Sequence, residues 1–265
     1  MQSDSIQKTV GVALAVCLVC SVLVSVSAVY LQSIQEENKR LDKIKNILMA
    51  GGLYDKKADI QSVFKEKITS ALIDLSTGDE LSEEQFTAKL SPETFDIKEM
   101  AADKVLGQAL GAEDDIAGIN RIPKNMLVYS VVENGVIDKI ILPMHGKGLW
   151  STMYGFVAMS NDLKTIKGLT FYEHGETPGL GGEIENPSWR ASWTGKLAFD
   201  DQAQLVLEIL KGKVNPASAK ASSQIDGLAG ATLTTRGVEK MIKFWFGKNG
   251  YGPFLKKLRE ASSNG

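Results

Sequence analysis

The stretch Asp226-Gly227-Leu228-Ala229-Gly230-Ala231-Thr232-Leu233-Thr234-Thr235 combines one carboxylate, two glycines and three hydroxyls with no other charge. It runs into Val238, Met241, Ile242 and Trp245, the i, i+3, i+4, i+7 spacing of a helix with one buried face. The pattern predicts Thr234 or Thr235 as N-cap and Gly247 as a left-handed residue ending the helix. A Gly-rich turn that brings backbone N–H groups and Thr hydroxyls to a helix start is a good anion site. Taken alone, the same residues also make a plain turn with a cap.

Two further loops carry unusual side chains. Glu173-His174-Gly175-Glu176-Thr177-Pro178-Gly179-Leu180-Gly181-Gly182 follows an expected strand and has more glycine than a simple connection needs. Glycine permits close backbone approach to a ligand, and a surface loop is the plainer alternative. No helix-forming run follows at the spacing a dinucleotide fingerprint requires. His145-Gly146-Lys147-Gly148-Leu149-Trp150 is the third such loop, and its Trp150 suits either a core or a flat ligand. His145 and His174 are the only histidines, and without metal-ligand spacing they point to no metal site. Asp226 with Glu173 or Glu176 has the residue types of an acid/base pair, but turn chemistry explains Asp226 more simply. No catalytic residue is assigned.

Asp226, Gly227, Gly230, Ala231 and Thr232 resemble the motif Asp-Gly-x-(Ser/Thr)-Gly-Ala-Thr of proteins that carry FMN on the final threonine through a phosphodiester. Ala229 stands where Ser or Thr is usual. With the His174-Gly175-Glu176-Thr177-Pro178-Gly179-Leu180-Gly181 segment and an N-terminal apolar run, the chain resembles the C-subunit family of Na+-translocating NADH:quinone reductases over nearly its whole length. The G-subunit family of the Rnf-type ferredoxin:NAD oxidoreductases shares the motif. The resemblance implies covalent FMN on Thr232, with Thr177, Leu180, Gly230, Ala231, Leu233, Thr234 and Trp150 as flavin contacts. It also implies a separate flavin transferase, partner subunits holding further flavins and the Na+ path, and a domain on the periplasmic side of a bacterial inner membrane.

The elements that must position these loops begin with Thr9 to Leu31, an almost wholly apolar run. About 20 such residues cross a bilayer as a helix. A cleaved signal peptide, cut after Val26-Ser27-Ala28, would have an apolar core of only about 7–15 residues, so an uncleaved anchor in lipid is expected. Val19 before Cys20 is a poor lipoprotein match, and Cys17-x-x-Cys20 inside such a run reads as packing, not as a metal pair. Lys39, Arg40, Lys43 and Lys45 follow the run and only Lys8 precedes it, which by the positive-inside rule places the large domain in the cytoplasm. That count conflicts with the side implied by the resemblance.

Leu41, Ile44, Ile47 and Leu48 continue a helical face up to Gly51-Gly52, and Ile60, Val63, Phe64, Ile68 and Leu72 predict a second helix. Short helices and loops are expected over 79–123. From Met126 the pattern changes to strands: 127–132 and 136–142 around Asn134-Gly135, then 153–159 and 165–172 around Asn161-Asp162, each a hairpin. Residues 204–210 form a fifth candidate. The expected class is therefore α+β, with a tail over 1–8, a transmembrane helix over 9–31, a mainly helical region over 32–123 and an antiparallel-sheet FMN-binding domain over 124–265.

Composition bounds what the chain does. Net charge of −2 with 23% charged residues leaves no basic footprint for nucleic acid. No nucleotide fold for NADH and no iron–sulfur cysteine array is visible. These absences suit an electron relay, and the resemblance implies that it serves a Na+-pumping complex with the NADH and quinone sites on partners. An Rnf-type subunit, or an anchored binding or structural protein without cofactor, are the alternatives.

Overall fold

A computed structural model of the protein describes residues 6–133 and 135–263. Asn134 of the first expected hairpin, and residues 1–5 of the expected tail, lie outside the described residues. The chain divides into two compact units, Met1–Lys43 and Ile44–Gly265.

The first unit is helical. Helix α1 (Ile6–Gly51) is one unbroken element, and it is long and apolar enough to cross a membrane. Val12, Leu14, Leu18, Leu23 and Val29 are among its exposed apolar side chains. Gln32 and Arg40 bond to Glu36 and Glu37, one-turn pairs that support a helix through its polar stretch. The helix stops where predicted, with Gly52 at φ 72°.

The second unit takes in the last turns of α1, where Ile44, Ile47, Leu48 and Ala50 are buried. Next come α2 (Ile60–Lys67), β1 (Ile68–Asp74), α3 (Ile97–Ala102), β2 (Gly107–Ala109), β3 (Arg121–Pro123), β4 (Asn125–Glu133), β5 (Val136–Lys147), β6 (Thr152–Ser160) and β7 (Ile166–Glu173). Then follow α4 (Pro187–Ala191), β8 (Glu208–Ile209), β9 (Gln224–Ile225), α5 (Thr232–Trp245) and α6 (Gly252–Ser263). Five strands form one antiparallel sheet in the order β1-β4-β5-β6-β7. The α+β expectation holds, and both hairpins form.

Three expectations need correction. The helix predicted through Leu72 stops at Lys67, because the whole of Ile68–Asp74 pairs with β4, Ile68 opposite Val131 and Asp74 opposite Asn125. Ile68 and Thr69 are β-branched and stiff in a helix, and the edge of a buried strand rewards them. The region expected to be mainly helical therefore supplies an edge strand, along with the β2–β3 pair. Of the candidate strand 204–210 only Glu208–Ile209 is extended in a ladder, pairing in parallel with β9.

The sheet is covered on both faces. Gly51 of α1 meets Ile141 and Val131, whereas Gly146 meets Met241 of α5. Ile141 and Gly146 lie five residues apart on an unbroken stretch of β5, so they face opposite ways. Phe156, Val157, Leu142, Ile47, Leu48, Val238, Met241 and Trp245 are among the buried side chains that fill the two layers. Trp245 Nε1 and Tyr251 Oη donate to the carbonyls of His145 and Pro143, tying the end of α5 and the turn after it to β5.

Candidate functional site

Helix α5 begins at Thr232, so its cap lies three to four residues before the predicted Thr234 or Thr235. Its N-cap is Ala231, which supplies no side-chain bond, and Thr235 N donates to Ala231 O at 2.9 Å. The amides of Thr232, Leu233 and Thr234 precede that first intrahelical donor and meet no capping side chain, the arrangement that attracts an anion. Thr234 and Thr235 are spent elsewhere. Thr235 Oγ1 donates to Ala231 O and accepts from Leu228 N, while Thr234 Oγ1 donates to Glu176 Oε2 at 2.5 Å. At its other end α5 closes with Phe246 in right-handed geometry. Gly247 is needed there for space: a Cβ would lie 2.9 Å from Lys243 O.

Asp226 does not shape its own turn. Its carboxylate accepts from Val214 N and Lys213 Nζ, both at 2.8 Å. The lysine first and the amide second hold its pKa below the usual carboxylate range. Trp189 Nε1 donates to Asp226 O, and Gly227 N donates to Gly212 O. The motif's first half is thus an anchor that fixes where its second half starts.

The three loops singled out in the sequence come together. Leu180 Cδ2 lies 3.0 Å from the position a Cβ on Gly230 would take, and Gly230 sits at φ 73°. Gly181 abuts the Thr234 hydroxyl, and Gly237 abuts Lys147 O and Gly148. Glu176, only 4% exposed, joins the set. Its oxygens accept from Leu149 N (3.1 Å), Trp150 N (2.9 Å) and Ser151 N (3.3 Å), besides Thr234. Burial pushes its carboxyl up, but the Thr234 hydroxyl and the three amides outweigh it and leave the pKa lowered. Sequence reasoning weighed Glu176 only as an acid or base. A carboxylate flanked by Gly175 and Gly179 was the available signal that it binds backbone. Ser151, whose hydroxyl accepts from Gly175 N at 2.6 Å, gave none.

On these loops, large apolar side chains face outward. Trp150 is 66% exposed, Leu233 57% and Leu180 46%, so Trp150 is not part of the core. Thr232 is half-buried and Thr177 exposed. The Thr177 backbone oxygen closes its own turn by accepting from Leu180 N and Gly182 N. Ala231 is buried. A planar, partly apolar ring bearing an anionic tail fits this surface: flat hydrophobic contacts for one end, free helix-start amides for the other.

The acid/base alternative finds no geometry. Glu173 pairs with Lys98, Asp226 with Lys213, and Glu176 is saturated. His145 is buried against Tyr154 and Trp245, and burial drops its pKa to about 4. His174 Nδ1 accepts from Glu176 N, which leaves Nε2 to donate toward Glu185 at 3.2 Å.

The fold and the loops define a flavin-binding module joined to an apolar helix, and residues 148–247 match the FMN-binding domain family. The chain is 45% identical over 263 residues to the C subunit of the Na+-translocating NADH-quinone reductase of Pseudomonas aeruginosa, covering 98% of each. The Yersinia pestis counterpart is 47% identical, with 98% and 96% covered. The chain belongs to this family, the C subunits (NqrC) of Na+-translocating NADH-quinone reductases. Among solved structures, that of Shewanella oneidensis NqrC superposes with a TM-score of 0.76 at 33% identity, over 84% of this chain and 99% of that one. The Parabacteroides distasonis counterpart gives 0.61 at 26%, over 85% and 96%.

Proposed function

We propose that this protein is the membrane-anchored electron-relay subunit of a Na+-translocating NADH:quinone reductase, carrying FMN on Thr232 through a phosphodiester. FMN, when bound, takes up electrons and passes them on; this chain's residues would hold its tether and seat its ring. Thr232 supplies the oxygen, and the amides of Thr232, Leu233 and Thr234 neutralise part of the charge the phosphodiester keeps. Trp150, Leu180 and Leu233, with Thr177, form the seat of the ring. Gly230 and Ala231 add no bulk beside the tether.

One observation carries the choice of threonine. Thr234 and Thr235 are 1% and 4% exposed, with both hydroxyls committed to partners, whereas Thr232 at the same helix start is accessible. A threonine hydroxyl is not a nucleophile at neutral pH, so a flavin transferase is needed to form the Oγ–P bond. The NADH and quinone sites, and the Na+ path, lie on other subunits. The apolar helix holds the chain in lipid as a single-pass anchor of the bacterial inner membrane. The FMN domain, proposed to span 124–265, stands on the periplasmic side.

Tandem mass spectrometry of the chain co-produced with a flavin transferase tests this directly. The FMN mass belongs on Thr232 and disappears in Thr232→Val. An FMN mass on Thr234 or Thr235, or flavin lost on denaturation, would sink the assignment.

A further inference from the structure

Among the described residues Glu176 is the only buried carboxylate, and it belongs neither to the proposed tether nor to the seat of the ring. Its four donors belong to two separate elements. Oε1 accepts from Trp150 and Ser151, and Oε2 from Leu149 and Thr234. The glycines around it are shaped to it: a Cβ on Gly148 would lie 2.5 Å from Oε1, and one on Gly181 would lie 2.9 Å from Oε2. Two glycines that look like room for a ligand are therefore room for this side chain. With both oxygens occupied, Glu176 holds other groups and contacts no ligand itself.

We propose that Glu176 is a positioning residue, a single buried anion that sets the spacing between the Trp150 loop and the first turn of α5. The seat of the ring and its tether at Thr232 are thereby kept in register. The inference rests on the flavin reading, but it concerns how the ring is seated and not where it is attached. Only an acceptor at both oxygens satisfies the cluster. A glutamine would turn an NH2 toward an amide N–H, leaving a buried donor without a partner. Thr234 is the other half of the link through its buried hydroxyl, which is spent on Glu176, whereas the part it takes at the tether is its backbone amide, which side-chain substitution leaves in place.

The test uses the full-length chain co-produced with a flavin transferase, comparing Glu176→Gln, Thr234→Val, their double variant and Thr234→Ser. FMN mass on Thr232 is recorded beside flavin fluorescence and visible circular dichroism. Glu176→Gln and Thr234→Val are expected to keep the covalent FMN and to raise its fluorescence severalfold, with the same change in dichroism. The double variant should add little to either, as coupled residues do. Thr234→Ser, which restores the hydroxyl, should match the parent. Unchanged flavin signals in both single variants, or fully additive effects, would overturn the proposal. Should Glu176→Gln fail to fold, Thr234→Val against Thr234→Ser decides alone. A parent chain without FMN on Thr232 refutes the flavin reading itself, a result separate from the others.

Discussion

Gly168 on β7 has no room for a side chain, because the Ala50 carbonyl at the end of α1 fills the place a methyl would take. Two residues on, Thr170 donates its buried hydroxyl to Asn46 O at 3.0 Å. The end of α1 therefore lies directly on the sheet backbone. Gly168→Ala should force the two apart and cost about 1–3 kcal/mol, the usual range for an overpacked contact. A drop in thermal midpoint with unchanged covalent FMN is the expected outcome. A variant as stable as the parent would show that the contact yields freely.

The same contact fixes where the chain can be cut. Ile44, Ile47, Leu48 and Ala50 are buried in the sheet's core although they belong to the helix that begins at Ile6. A fragment beginning at Gln32 should fold cooperatively. One beginning at Leu53 loses three large buried side chains worth roughly 1.5–3 kcal/mol each, a large part of the ~5–15 kcal/mol a domain has. Urea unfolding of both fragments checks this, and equal midpoints would refute it.

How far the sequence told this in advance depends on the kind of contact. Local signals were enough for the apolar helix, its stop at Gly52, both hairpins and the three loops. The helix-to-strand change at Ile68 was hidden because its cause is non-local: the free edge of β4, nearly sixty residues on. Thr234 looked like a cap because hydroxyls near a helix start usually are. Its actual partner, Glu176, comes from another loop, and no spacing rule connects the two. The match to the flavin motif pointed to Thr232. The burial of Thr234 and Thr235, which sets them apart from it, needed coordinates.

Acid should weaken the fold in a definite window. His145 has its pKa lowered from 6.5 to about 4 by burial, with Asp115 opposing. Between those values the unfolded chain binds the proton and the folded chain does not, so stability falls as pH drops below about 6.5 and levels near 4. The loss is about 2 kcal/mol between pH 7 and 5, and about 3 in full. Glu176, with a lowered pKa, acts in the same sense but only as pH falls through its own, lower range. Denaturant unfolding at pH 7 and 5 should show the loss in the parent and much less of it in His145→Phe, which keeps the ring stack with Tyr154. An equal loss in both would assign the acid sensitivity elsewhere.

The last prediction is that the domain carried after the apolar helix lies outside the cytoplasm, against the charge count. Lys39, Arg40, Lys43 and Lys45 follow the apolar run and Lys8 alone precedes it, and acidic neighbours count for little in that rule. Arg40 is paired with Glu37 in the folded helix, but such pairs form after insertion and leave the count as it was. Function favours the outer side. A covalent tether has most value where free FMN is scarce and lost flavin cannot be replaced. The domain after the span also contains no cysteine, since Cys17 and Cys20 are the only two, so it offers nothing to an oxidising compartment. Orientation is further shared with other subunits inserted alongside, which weakens a bias of a few residues. A reporter active only in the cytoplasm, fused after Gly265, should be dark, and protease added to intact spheroplasts should digest the domain. A bright reporter, or a domain protected until the membrane is ruptured, would show that the lysines set the topology after all.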